Sequence, residues 1–171
     1  AAGDYYLLVY QPNNKALRRM QFSVTMSVYD STTTNRDDFH WSVYNQEGDL
    51  LLGLDFDNDY LRVYYYLDGA NSRVWSGLEF TNGVASPLRL DLDFTSNRWS
   101  AVFNGALLAT NQPITTTGAT LTLGDIDAVW LLYDTNAPGD NYMLFDNYRV
   151  TAEARPVPPA CRVGSGPVPG R

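Results

Sequence analysis

Apolar residues recur at every second position over much of the chain, most clearly at Met20, Phe22, Val24, Met26 and Val28. The residues between them, Gln21, Ser23, Thr25, Ser27 and Tyr29, are mostly polar, so the stretch reads as a long strand with one buried face and one wet face. A polar loop over 31–38 leads to Phe39, Trp41 and Val43, then to the turn Asn45-Gln46-Glu47-Gly48 and an apolar run from Leu50 to Phe56, which together predict a hairpin. The turn Asp57-Asn58-Asp59 precedes a tyrosine-rich strand from Tyr60 to Leu67, and Asp68-Gly69-Ala70-Asn71 precedes a strand through Val74, Trp75 and Phe80. Leu88, Leu90, Leu92 and Phe94 alternate with Arg89, Asp91 and Asp93. Trp99, Ala101 and Phe103 then run into Asn104-Gly105, a strong hairpin signal, with the return over Ala106 to Thr110. A threonine-rich stretch from Thr115 to Thr122, a strand from Asp125 to Tyr133, a loop over 134–141 and a last strand from Tyr142 to Thr151 complete the pattern. No stretch of about 12 residues carries a helical period, and about eleven short strands at regular spacing predict an all-β antiparallel sandwich or barrel.

Composition agrees. With 16 Asp against 3 Glu and 11 Arg against one lysine, Lys15, the chain lacks the residues that coat helices and has those that make turns. At 171 residues it suits one domain, and the absence of an apolar run near ~20 residues excludes a helical membrane span. A formal net charge of -7 repels phosphate backbones, which argues against nucleic acid as a partner. The single cysteine, Cys161, cannot close a disulfide within the chain, although a bond between chains stays open. The start Ala-Ala-Gly fits a processed secreted protein as well as a trimmed chain. Past Glu153, five of the nine prolines and three glycines crowd into 155–171 with few large apolar side chains. The expected organisation is therefore a sandwich domain over 1–153, with 1–15 as an N-terminal strand or arm, and a Pro/Gly-rich tail or linker over 154–171.

Five phrases carry a family resemblance: Asp38-Phe39-His40-Trp41-Ser42-Val43-Tyr44-Asn45, Gly53-Leu54-Asp55-Phe56-Asp57-Asn58, Asn97-Arg98-Trp99-Ser100-Ala101, Leu123-Gly124-Asp125-Ile126-Asp127-Ala128-Val129-Trp130, and Gly139 through Val150. Together, from about Met20 to Thr151, the chain resembles uncharacterised modules of secreted or surface bacterial proteins with a concanavalin A/laminin G-like jelly roll. The resemblance implies two packed antiparallel sheets with the last strand beside an early one, and an extracellular or cell-surface location. Members of so broad a fold bind glycans, bind proteins, catalyse or only hold neighbours together, so fold leaves function open.

A glycosidase needs a carboxylic acid and a carboxylate across a cleft. Asp55 and Asp57 share one strand face, with Asp59 beyond, but the glutamates that the resemblance implies for glucanases are missing and Asp57-Asn58-Asp59 reads equally as a turn. Polysaccharide lyases of this fold use a His and a Tyr. The only histidine, His40, is out of phase with Phe39, Trp41 and Val43 and reads as an exposed strand residue. One His and one Cys cannot close a zinc site of nitrogen and sulfur ligands. Asp140, Asn141, Asp146 and Asn147 supply the oxygens that calcium takes, and the resemblance implies a structural calcium at Asp146. The alternative is an ordinary turn, with Asp146 bonding backbone.

Glycan binding needs flat rings and a few polar groups on a preformed surface. Tyr60, Arg62, Tyr64 and Tyr66 share a strand face, opposite Leu61, Val63 and Tyr65, and Trp75, Tyr44 and Asn58 are candidates to join it. The same tyrosines suit the outer cover of a sheet or an interface. Trp41, Trp99 and Trp130 fall on apolar phases and belong to the core. The expectation is a non-catalytic carbohydrate-binding or adhesive module with no required cofactor beyond a structural Ca2+. The alternative is a self-assembling subunit of a surface layer or filament, a homo-oligomer joined through its N-terminal strand and C-terminal tail.

Overall fold

The computed structural model describes residues 6–7, 18–67 and 73–153. The rest of the N-terminal arm, the turn Asp68-Gly69-Ala70-Asn71, and the Pro/Gly-rich tail with Cys161 lie outside the described residues. Eleven strands are described: β1 (Tyr6–Leu7), β2 (Arg19–Tyr29), β3 (Asp38–Tyr44), β4 (Leu50–Asp57), β5 (Arg62–Leu67), β6 (Val74–Glu79), β7 (Ser86–Asp93), β8 (Arg98–Phe103), β9 (Ala106–Gln112), β10 (Asp125–Leu131) and β11 (Tyr142–Ala152). They form a six-stranded sheet in the order β1-β10-β3-β4-β5-β6 and a five-stranded sheet in the order β11-β2-β7-β8-β9. Every strand pairing is antiparallel. The all-β antiparallel sandwich expected from the alternation is the fold, and, as the jelly-roll resemblance implies, the last strand lies beside an early one, β11 on β2. Among the described residues no helix is long and apolar enough to cross a membrane.

Alternation places the core. Met20, Phe22, Val24, Met26 and Val28 all point inward from β2, as do Leu88, Leu90 and Leu92 from β7. Facing them across the layers are Phe39, Trp41 and Val43 of β3 and Leu52, Leu54 and Phe56 of β4. Rings lock the two sheets together at five contacts among the described residues: Phe22–Trp41 (5.1 Å), Trp41–Phe145 (5.3 Å), Trp41–Tyr148 (6.0 Å), Phe56–Phe103 (5.3 Å) and Tyr65–Trp99 (5.5 Å). The two fully buried indoles are both hydrogen-bonded: Trp41 Nε1 donates to Met26 Sδ at 3.3 Å and Trp99 Nε1 to the Pro113 carbonyl at 3.0 Å. Trp41 and Trp99 are thus core residues, and Trp130 packs against the core partly buried.

Local chemistry sets the departures from regular alternation. Asn104 and Gly105 both adopt positive φ, 47° and 80°, the conformation of the tight hairpin their pairing predicts. A bulge between Asp146 and Arg149 of β11, with Asn147 at φ 57°, inserts one residue opposite β2. Phe145 therefore points inward before the bulge and Tyr148 and Val150 after it. The tyrosine-rich strand is shorter than its sequence suggests. Tyr60 belongs to the turn and Leu61 takes φ 56°, so β5 begins only at Arg62.

The ring contacts predict the stability ledger locally. Phe22→Ala, which empties a fully buried position between the layers, is expected to cost about 3–5 kcal/mol in denaturant unfolding, whereas Leu107→Ala on the surface changes stability by less than about 0.5 kcal/mol. Equal costs at the two positions would contradict this placement of the core.

Candidate functional site

The outward positions of the six-stranded sheet carry most of its polar chemistry. Register aligns them in rows: Val129, His40, Asp55, Tyr64 and Trp75 lie across β10, β3, β4, β5 and β6, and Asp127, Ser42, Gly53 and Tyr66 form the next row. Asp38 and Asp57 extend the polar face beyond the first row at the same end of the hairpin formed by β3 and β4. Parity explains why they meet. Asp38 and His40 flank inward Phe39, and Asp55 and Asp57 flank inward Phe56, so two strands bring four titratable side chains to one outward surface.

This face is unusually dry. Asp38, Asp55 and Asp57 are 1%, 2% and 2% exposed. One guanidinium serves all three: Arg73 donates through Nη1 to Asp55 Oδ2 at 2.5 Å and to Asp38 Oδ2 at 3.4 Å, and through Nη2 to Asp57 Oδ2 at 2.7 Å. Arg73 also lies 4.2 Å over the Tyr64 ring. Burial alone would lower its pKa, but the hydrogen bond and charge of Asp55, with the charge of Asp57, raise it well above the ordinary value. Tyr133 donates its hydroxyl to Asp38 Oδ2, and the Asn58 backbone N–H donates to Asp38 Oδ1 at 3.0 Å. Burial still pushes the Asp38 carboxyl up to about 6, helped by the neighbouring Asp55 and Asp57 charges. The Tyr133 phenol is raised by burial and by its bond to Asp38.

His40 departs from its expected role as an exposed strand residue. Its Nδ1 shares a 2.9 Å hydrogen bond with the Tyr66 hydroxyl, and its Nε2 lies 3.2 Å from Asp55 Oδ1. Tyr66 reaches β3 from β5 by crossing β4 at Gly53, where any Cβ would fall well inside contact distance of the phenol ring. Glycine at that position is a requirement of space. Burial raises the pKa values of the Tyr66 and Tyr44 phenols, with the Ser42 hydroxyl beside each opposing the shift.

The predicted ligand-binding residues divide between the surface and the interior. Trp75, 51% exposed, and Tyr60, 66% exposed, bracket Arg62, whose guanidinium carbon lies 4.9 Å and 5.6 Å from the two ring centres. Tyr64 and Tyr66 occupy the same face, half-buried, and Tyr44 adjoins them from β3 beyond Ser42. Asn58 is buried, 1% exposed, behind that surface. The predicted calcium ligands are distributed differently. Asp140 accepts from the Ser31 hydroxyl at 2.5 Å, the Thr32 N–H at 2.7 Å and the Thr32 hydroxyl, bonds that hold its pKa down at about 2. Asn141 ties its loop to Asp37 through its amide nitrogen, 2.6 Å from the Asp37 carbonyl. Asp146 lies within β11 opposite Thr25 and accepts from the Asn147 N–H at 2.6 Å, next to the bulge.

Arg73, Asp38 and Tyr133 were not among the residues the sequence singled out. Asp55 and Asp57 were legible as a pair on one strand face and His40 as out of phase with the core, but nothing local marks Arg73, which reaches them from the far side of β5. A groove of about 690 Å³ lined by Arg19, Gln21, Asp91, Arg98 and Asn111 belongs to the other sheet. Its groups pair across strands, Arg19 with Asp93 at 3.1 Å and Gln21 with Asp91 at 2.7 Å.

No protein-family model matches the chain, and no curated protein matches it. Solved structures do. A sialidase aligns at TM-score 0.60 and 10% identity over 86% of this chain and 15% of its own. A tetrameric galectin from the ball sponge Cinachyrella sp. aligns at 0.51 and 11% over 88% of this chain and 99% of its own. The alginate lyase AlgAT5 of polysaccharide lyase family 7 aligns at 0.54 and 9% over 80% of this chain and 60% of its own. The chain thus spans about 15% of the length of that sialidase. At such identities the likeness is one of fold. It corrects one expectation: the exclusion of enzymatic activity is overturned, because structures sharing this sandwich include a sialidase and an alginate lyase as well as a galectin.

On β10, Asp127 carries a second raised carboxyl, pushed up to about 6 by burial and by Asp125. It holds its proton more tightly folded than unfolded, so the stability it contributes is complete below its unfolded value of 3.8 and is lost as pH rises through about 6. Asp127→Asn is expected to leave the melting temperature nearly unchanged at about pH 4 and to raise it above that of the parent chain at about pH 8. Thermal unfolding across that range checks this, and a pH-independent offset would contradict it.

Proposed function

We propose that the outward face of the six-stranded sheet binds a glycan with its exposed rings and guanidinium. The observation carrying this reading is the Tyr60–Arg62–Trp75 arrangement, a cation held between two solvent-facing rings beside the half-buried Tyr64 and Tyr66. Rings offer flat apolar faces to the C–H side of a pyranose, while Arg62 and the phenols offer hydrogen bonds to its hydroxyls. Three buried carboxylates beneath the face disfavour an anionic chain, so the ligand in this reading is neutral. The fold shared with a galectin supports the reading. On a glycan array and by calorimetry, Trp75→Ala and Tyr64→Ala are each expected to weaken binding to neutral glycans about ten-fold. Parent-like binding by both variants would remove this face from consideration.

One observation favours a second reading, in which the face takes a uronate-containing glycan instead of a neutral one and cleaves it by β-elimination, the proton next to the carboxyl passing to the base and the 4-linked sugar leaving. His40 and Tyr66, the residue types implied for lyases of this fold, meet at 2.9 Å on the same face. If they exchange a proton with substrate, the chain releases new sugar ends from a polysaccharide panel and His40→Ala abolishes release while keeping the fold. Release that is undiminished in His40→Ala, or absent from the parent chain, rejects it.

A further inference from the structure

Among the described residues, the buried cluster carries more negative charge than its permanent cations balance. Asp38, Asp55 and Asp57 all ion-pair with Arg73, so three carboxylates share one guanidinium, and Arg62 is engaged instead by the Tyr60 and Trp75 rings. Buried charge in excess of its counter-ions is costly and is ordinarily relieved by a further partner.

The position open to such a partner is defined. Arg73 approaches Asp55 through Oδ2, leaving Oδ1 turned toward His40. Asp55 Oδ1 and His40 Nε2 are both buried and, among the described residues, neither has a hydrogen bond; they stand 3.2 Å apart, an ion pair only when the imidazole is protonated. The Asp55 side chain is 3% exposed, so solvent does not satisfy it. One ligating atom from each of Asp38, His40 and Asp55 lies within 4.8 Å of the other two. Ligands about 2.1 Å from a common ion, and about 90–110° apart, are separated by about 3.0–3.4 Å, which brackets the His40–Asp55 contact.

We propose that Asp38, His40 and Asp55 form a site for one divalent transition-metal ion, of the zinc or manganese class. The site uses carboxylates where a closed zinc centre would use further nitrogen or sulfur. Imidazole favours these ions over calcium, whose sites are built from six to eight oxygens. When His40 gives Nε2 to the ion, its Nδ1 carries the ring proton and donates to the Tyr66 hydroxyl at 2.9 Å, the outer bond that commonly orients a ligating histidine. Two charges on the ion match the two carboxylates that Arg73 leaves unbalanced. The site is independent of the glycan reading, and metal alone tests it.

The tag-free full chain, stripped with chelator and carrying Cys161→Ser to remove the thiol, would be titrated with Zn2+, Mn2+ and Ca2+ by calorimetry. One equivalent of Zn2+ or Mn2+ is expected to bind, with His40→Gln and Asp55→Asn each weakening binding by at least about ten-fold. Because His40 is the only histidine, imidazole nitrogen coupling in the electron paramagnetic resonance spectrum of bound Mn2+ reports this site directly, whether or not a variant folds. Absence of uptake, response to calcium alone, undiminished binding in both variants, or bound Mn2+ without nitrogen coupling would each overturn the proposal.

Discussion

Strand β4 is buried on both faces, and that constraint organises the molecule. Seven of its eight residues are sequestered from water. Inward, Leu52, Leu54 and Phe56 meet the apolar side chains of the facing sheet, where close packing and removal from water stabilise the sandwich. Outward, the same strand presents Gly53, Asp55 and Asp57, which gain nothing from burial by themselves. The outward side is tolerable because neighbours answer most of these groups, Asp55 Oδ1 being the exception. Arg73 bridges the carboxylates, and Tyr66 fills the space over Gly53.

The two sides differ in how visible they are along the chain. Inward positions are read from period two, so Met20 to Val28 and Leu88 to Leu92 placed themselves, and Asn104-Gly105 marked its hairpin. The exceptions have local causes. Leu61 in a left-handed conformation takes Tyr60 out of its strand, and the Asn147 bulge shifts Tyr148 inward, neither of which alternation reports. The outward cluster was half legible. Asp55 and Asp57 were read on one strand face and His40 as out of phase with the core, whereas Asp38 was placed in the loop before β3, which in fact begins at Asp38. What parity cannot supply is which outward side chains of non-adjacent strands touch, or that a lone arginine 16 residues past Asp57 folds back onto it. Such contacts depend on sheet twist and rotamer, properties of the assembled layers.

Dryness changes the meaning of the outward residues. An exposed histidine in a sheet is screened and ordinary, whereas His40 sits among carboxylates and phenols from which water is largely excluded. The same exclusion raises the Asp38 carboxyl and the Tyr66 and Tyr133 phenols together. Asp38 accepts from Tyr133, from the Asn58 N–H and, at 3.4 Å, from Arg73, which stands closer to Asp55 and Asp57, at 2.5 Å and 2.7 Å. Its carboxyl is raised first by burial and then by the neighbouring acids.

The low identity to other sandwiches has a physical reading. Two stacked sheets demand only that alternate residues be apolar and of suitable volume, which many sequences satisfy. Nothing in that demand specifies the outward rows, so structures as differently named as a galectin and an alginate lyase share the layers. In this chain the rows are nevertheless tied to the core by covalent adjacency. Phe56, wedged between Phe80 and Phe103, separates Asp55 from Asp57, and Phe39 separates Asp38 from His40. A displaced ring on the inner side moves the backbone that aims two acids on the outer side. Precision in the cluster is thus inherited from packing in the core.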